Sequence, residues 1–239
     1  MALLEVSSLT RDFGGLRAVS NLSFTVEAGE ILGLIGPNGA GKTTVFNLIT
    51  GFLRPSSGVI RLNGRQISGL KPHVVVRNGI ARTFQIVKPF PNLSVRENVA
   101  LAALVRTRDR REANAEAVRT LTQVGLGEKT DMPASDLTLS EQKHMEMARA
   151  LATGPRLLLL DEPLAGLNPR ETEEACGLIQ KIREGGITVV LVEHVMKAIM
   201  RISHRVVVMR QGAKIADGPP AKVVKDPAVI TAYFGKRGA

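Results

Sequence analysis

Residues 30–44, Glu-Ile-Leu-Gly-Leu-Ile-Gly-Pro-Asn-Gly-Ala-Gly-Lys-Thr-Thr, decide the fold. The apolar run ending at Ile35 lacks the alternation of a half-wet strand, so it reads as a strand buried on both faces of a parallel sheet. It leads directly into Gly36, Pro37, Asn38, Gly39, Ala40, Gly41, Lys42, Thr43 and Thr44, which fit the spacing GxxxxGK[ST], and a helix is predicted from about Gly41 to Gly51. Strand, glycine-rich loop and helix in that order make a phosphate cradle. Glycines let backbone N–H groups approach oxygens, Lys42 brings a point charge to the β- and γ-phosphates, and the Thr43 hydroxyl can ligate Mg²⁺. A ligand-free glycine-rich turn is the bland alternative. The strand and helix on either side favour nucleotide binding.

Upstream, Leu3 to Leu9 and Leu22 to Val26 alternate apolar with polar and predict two antiparallel strands, with Phe13 and Gly14-Gly15 between them. Downstream, Gln85 to Leu151 reads as mostly helical. Ala113, Ala117, Leu121 and Val124 recur at helix spacing, and Gly125 and Gly127 mark the stop. The α/β texture returns with the strand Leu157-Leu-Leu-Leu160. A helix follows with Asn168 as N-cap, Pro169 at its first position, Glu171 completing a capping box, and Ala175, Leu178, Ile179 and Ile182 as its apolar face. Gly185-Gly186 breaks it. Ile187 to Val192 is a further buried strand ending in Glu193-His194, Met196 to Ile202 a short helix, and Arg205 to Met209 a strand with a turn at Gln211-Gly212.

The pattern implies one α/β domain over 1–239: a P-loop NTPase core of mainly parallel sheet with N-terminal antiparallel strands (1–85 and 152–239), and an inserted α-helical subdomain (86–151). In that frame Asp161-Glu162 supplies the second half of a nucleotide site. One carboxylate belongs to the Mg²⁺ shell and the other is free to polarise water.

The bulk numbers narrow the partners. A formal charge of +10 suits a polyanion or an anionic membrane surface, but the basic residues are scattered. The densest run is Arg106, Arg108, Arg110 and Arg111, which reads first as a solvated helix entry. Only 3% of residues are aromatic and there is no Trp, so base stacking is poorly supplied and no nucleic acid is expected. Cys176 is the single cysteine, consistent with a reducing compartment. With no leader-like start and no run long enough to cross a bilayer, the chain is expected on the cytosolic side.

The remaining motifs appear in the order of the ABC ATPase family, which the chain resembles over almost its whole length. The resemblance implies ATP with Mg²⁺ as ligands. It places Phe13 against adenine, gives Gln85 in Arg82-Thr-Phe-Gln the part of the Q-loop glutamine at the metal, and makes Asp161 a metal ligand and Glu162 the general base. Ala165-Gly-Leu-Asn168 stands for the D-loop, and His194 for the switch histidine at the γ-phosphate. The signature, LSGGQ in most members, falls at Leu137-Thr-Leu-Ser-Glu141 and keeps only its first residue. Thr138 and Glu141 can still cap the helix, but Leu139 and Ser140 replace glycines and Glu141 adds a negative charge where Thr138, Ser140 and Glu141 would meet a partner's γ-phosphate.

Phe13-Gly-Gly-Leu-Arg-Ala, Gly79-Ile-Ala-Arg-Thr-Phe-Gln85 and Asp226-Pro-Ala-Val-Ile-Thr-Ala-Tyr-Phe-Gly235 are similar to the ATPase subunits of branched-chain amino-acid importers, in particular the one carrying the Q-loop glutamine. Urea and amide importers and lipopolysaccharide exporters use similar ATPases. What the resemblance implies is a motor subunit peripheral to the cytoplasmic side of the inner membrane. Its helical subdomain would dock on permease subunits, its site would be completed by a second ATPase subunit, identical or different, and a periplasmic or extracellular binding protein would serve the same system. A soluble ABC ATPase acting on nucleic acid is the weaker alternative.

Overall fold

A computed structural model describes residues 2–234, so Gly235 lies outside the described residues. The chain divides into two compact units, one made of residues up to 75 and from 188 onward, the other of residues 76–187.

The first unit opens with the antiparallel pair β1 (Ala2–Phe13) and β2 (Leu16–Glu27), turned at Gly14-Gly15. Both strands outrun the expected apolar segments because the register shifts between Val6 and Leu9, where Ser8 takes φ 46, and the ladder resumes beyond it. In β3 (Ile31–Ile35) every residue is buried. Helix α1 (Lys42–Ile49) starts one residue later than the sequence suggests, since Gly41, at φ 100, is its left-handed N-cap. β4 (Ser57–Leu62) and β5 (Arg65–Gln66) complete an antiparallel sheet in the order β2-β1-β4-β5, and α2 (Pro72–Arg77) follows.

The second unit begins with β6 (Ile80–Arg82). Helix α3 (Val95–Ala103) is capped reciprocally by Ser94 and Glu97, and α4 (Arg110–Gln123) by Asp109, whose carboxylate accepts from the Arg111 N–H. Ala113, Ala117 and Leu121 of α4 are buried as their spacing requires. Gly125, at φ 81, lies just beyond the helix end. Helix α5 (Leu139–Ala152) packs with α3 and α4. β7 (Leu157–Asp161), buried throughout, pairs in parallel with β6. Helix α6 (Pro169–Glu184) has Asn168, Pro169 and Glu171 in the expected roles and buries Ala175, Cys176, Leu178, Ile179 and Ile182. Burying each such Leu or Ile side chain stabilises the unit by about 1.5–3 kcal/mol.

The chain then returns to the first unit. β8 (Thr188–Val192) is followed by α7 (Met196–Ile202), β9 (Arg205–Arg210), β10 (Ala213–Gly218), α8 (Pro220–Val223) and α9 (Pro227–Phe234). Within this unit the strand order is β10-β9-β3-β8, with β3 parallel to both neighbours and β10 antiparallel at the edge. The carboxyl ends of β3 and β8 therefore lie side by side, which sets the loop at Gly36 beside Glu193 and His194.

Candidate functional site

In the first unit the loop from Gly36 to Gly41 is held from behind. A Cβ at Gly36, φ 154, would sit 2.2 Å from the Met209 carbonyl oxygen, and one at Gly41, φ 100, would sit 2.4 Å from that of Ala18. Both positions exclude any side chain, because strand and hairpin backbones already occupy the space. The Ala40 carbonyl accepts from the Gly212 N–H at 3.0 Å, so the turn at Gln211-Gly212 is part of the same support. Helix α1 has no side-chain cap, unlike α3, α4, α5 and α6, so no side chain covers its start. The Lys42 ammonium, 6% exposed, donates to the carbonyls of Gly36 at 2.7 Å and Pro37 at 3.1 Å. Asn38, Gly39 and Thr43 face solvent, while Pro37 and Thr44 are half-buried and Ala40 is buried.

At the end of β8, His194 is exposed and its backbone N–H donates to the carboxylate of Glu193, which is 2% exposed. Phe13, at the end of β1, presents a ring 41% exposed with the Arg11 guanidinium 4.6 Å from its centre. That is a platform with one side already covered by a cation. The phenol of Tyr233 on α9 faces the Gly36 amide, and burial pushes its pKa up to about 12.

In the second unit the parallel pair β6 and β7 brings Gln85 and Asp161-Glu162 together. Gln85 Nε2 donates to Glu162 Oε2 at 2.6 Å. Arg82 Nη2 lies 2.7 Å from Asp161 Oδ2, with the two side chains only 6% and 5% exposed. Glu162 itself sits at φ 49, a conformation few residues other than glycine adopt.

The signature segment starts α5 as its capping box requires: Thr138 accepts from the Glu141 N–H, and Glu141 accepts from the Thr138 N–H. Glu141 also meets Lys129 at 2.5 Å, and this ammonium holds its carboxyl below the usual carboxylate range. The negative charge expected at the helix tip is thus folded back and paired. Ser140 is half-buried, and the exposed Leu139 reaches Gly166 of the D-loop segment, where an added Cβ would lie 3.1 Å from Leu139 Cδ2.

A carboxyl whose pKa is depressed on folding contributes stability above its unfolded value, and loses it as pH falls through the lower folded value. Glu141→Gln is therefore expected to lower stability by about 0.5–1 kcal/mol at neutral pH and by nothing once the medium is acid enough to protonate the native carboxyl. Thermal denaturation of both proteins between neutral pH and about pH 3 checks this; a difference independent of pH would contradict it.

Sequence reasoning passed over Arg82, Glu193, Lys143, Glu146 and Asn98. Lys143 and Glu146 are 6% and 8% exposed, and Asn98 is fully buried. Asn98 accepts from the Phe90 N–H at 2.9 Å and donates to the carbonyls of Phe90, Leu93 and Ser94. A charged residue abutting an apolar strand run, as Arg82 does after Ile80-Ala81 and Glu193 after Leu191-Val192, is the signal that could have flagged two of them.

The model of the ABC transporter family matches residues 19–165, the span holding the cradle, Gln85, the signature segment and Asp161-Glu162. The chain belongs to the ABC transporter family. A second model, described as branched-chain amino acid ATP-binding cassette transporter, matches residues 213–239 of this ABC cassette.

Among curated proteins the cassette is 46% identical to the high-affinity branched-chain amino acid transport ATP-binding protein BraF of Pseudomonas aeruginosa, and 42% identical to LivG of Escherichia coli K12, each over 98% of both chains. Among solved structures it superposes on a nucleotide-free ATP-binding cassette of an ABC transporter, with TM-score 0.90 and 28% identity over 99% of this chain and 100% of that one. An ADP-bound cassette gives the same values. The fold is that of a P-loop ATPase, and the chain is an ATP-binding, ATP-hydrolysing cassette. Among the described residues no helix is long and apolar enough to cross a membrane.

Proposed function

We propose that this cassette is the ATP-hydrolysing motor of an importer of branched-chain or related amino acids. The observation that carries the reading is likeness over 98% of both chains to transport ATPases of that name, joined to a family-specific match at the C-terminal end. The uncapped start of α1 fits a triphosphate, with Lys42 leaving its own loop carbonyls for the β- and γ-phosphate oxygens. Phe13 offers the adenine a ring face.

The Thr43 hydroxyl, the Gln85 amide and the Asp161 carboxylate are hard oxygen donors of the kind Mg²⁺ takes when phosphates complete its shell. Bound there, Mg²⁺ would neutralise charge on the triphosphate. Glu162, steered by Gln85, orients the attacking water, and His194, its backbone anchored by Glu193, serves the γ-phosphate. Thr138, Ser140 and the N–H groups at the start of α5 face the nucleotide of a second ATPase subunit, identical or different, and Glu141 shapes that helix start through its cap.

The helical part of residues 86–151 docks on permease subunits, which places the chain peripherally on the cytoplasmic face of the plasma membrane, in a system supplied by an extracytoplasmic binding protein. As domain organisation, residues 1–85 and 152–239 form the nucleotide core.

Tagged chain carrying Glu162→Gln, purified with ATP from detergent-solubilised native membranes, tests this reading. Multi-spanning permeases and an ATPase partner are the expected companions, and a co-purified binding protein should gain thermal stability with leucine, isoleucine or valine. Recovery of the chain alone, or with nucleic-acid-binding proteins, overturns the transporter role. A binding protein that responds only to urea or amides overturns the substrate class.

A further inference from the structure

Glu162 is held in an unusual way. A non-glycine residue in the left-handed region costs on the order of 1–3 kcal/mol and persists only where its surroundings impose it. Two donors converge on its carbonyl oxygen: the Ala165 N–H at 3.2 Å and the Lys143 ammonium at 3.1 Å. With both acceptor positions taken, the peptide plane after Glu162 cannot turn, and the side chain leaves the backbone in one direction, toward Gln85.

Lys143 is buried, and two carboxylates share its crevice. Asp161 and Glu146 line the same small crevice, under Phe84 and Pro163. Glu146 accepts from the Phe84 N–H and pairs with Arg149 at 2.9 Å, while burial pushes its carboxyl up. A buried ammonium is tolerated only when its charge or its donors are met, and the Glu162 carbonyl meets one of those donors. The lysine stands two residues after Glu141, in the first turns of the helix that the signature segment starts.

We propose that Lys143 is a positioning residue for Glu162: its ammonium fixes the left-handed backbone that aims the carboxylate, and so ties the seating of α5 to the water-orienting group. This rests on the assignment of Glu162 as the base. A shift of α5 along its axis would carry the ammonium away from the carbonyl and leave the peptide plane to the Ala165 N–H alone. Turnover would then be gated inside one chain by the placement of its own signature helix.

Lys143→Met keeps length and burial while removing the donor. In the full-length chain kcat is expected to fall by about 10- to 100-fold, the scale of a misplaced catalytic group, with KM for ATP changed less than about twofold. Added to Glu162→Gln it should cause no further loss, because the group it aims is gone. Turnover is counted per nucleotide bound and below each variant's Tm, so unfolded protein cannot imitate a kcat defect. Should Lys143→Met not fold, Lys143→Gln, whose amide is too short to reach, is expected to show the same split. Wild-type kcat in whichever variant folds, or a parallel rise in KM, overturns the proposal alone. Normal turnover in Glu162→Gln overturns the base assignment and the proposal with it.

Discussion

Glu162→Gln is expected to bind ATP as tightly as the wild type and to hydrolyse it about 10²- to 10⁴-fold more slowly, the range general base catalysis supplies. The substitution is nearly isosteric. Its amide oxygen can still accept from Gln85 Nε2, where the wild-type bond is 2.6 Å, and the left-handed backbone with its two carbonyl donors is untouched. What goes is the charge that we propose polarises water. The proposed phosphate cradle is Gly36–Thr44 with α1, which the substitution does not alter, so nucleotide affinity should survive. Equilibrium binding of a fluorescent ATP analogue, set beside steady-state phosphate release, measures both quantities. A variant that loses affinity and turnover together would assign Glu162 to binding, and one that keeps turnover would remove it from the chemistry.

Arg82→Met should cost about 3–5 kcal/mol of stability, because it strands the Asp161 carboxylate in a place where its side chain is 5% exposed. A guanidinium that contacts a buried carboxylate at 2.7 Å cannot be replaced by water. In a chain of this length the loss corresponds to on the order of 10 °C in Tm. The paired substitution Arg82→Met with Asp161→Leu removes both charges and should recover most of the stability while leaving hydrolysis absent. Thermal and urea denaturation of the three variants decide the matter. Equal destabilisation by the single and double changes would show that Arg82 matters for its shape and not for its charge.

How far the sequence spoke differs from element to element. Asn168, Pro169 and Glu171 announced the start of α6 because a helix end must satisfy its own N–H groups with nearby residues. The tight loop from Gly36 to Gly41 was legible for a similar reason, since its demands are local and fall on glycine. The edge strand β10, Ala-Lys-Ile-Ala-Asp-Gly, was not legible: only half covered, it is a strand because β9 pairs with it. Helix α3 carried a readable box in Ser94 and Glu97 that the periodicity around it did not bring forward. Arg82, Lys143 and Glu146 were invisible for a deeper reason. Their importance comes from burial beside particular opposite charges or carbonyls, and those partners lie between 3 and 79 residues away along the chain.

The segment after Gln85 has no regular structure, yet it is fastened along its length. Gln85 is tied to Glu162, the Lys88 carbonyl accepts from Arg149, and Asn98 grips Phe90 by both its N–H and its carbonyl. Between these fixings only two residues and then one run free, and a residue spans at most about 3.5 Å when stretched. A ribbon fastened at such short intervals can bend only a little at a time. A displacement of α3 that kept the Asn98 bonds would be passed on to Phe90 and from there toward the glutamine at the far end, so the stretch works less like a hinge than like a bell-pull.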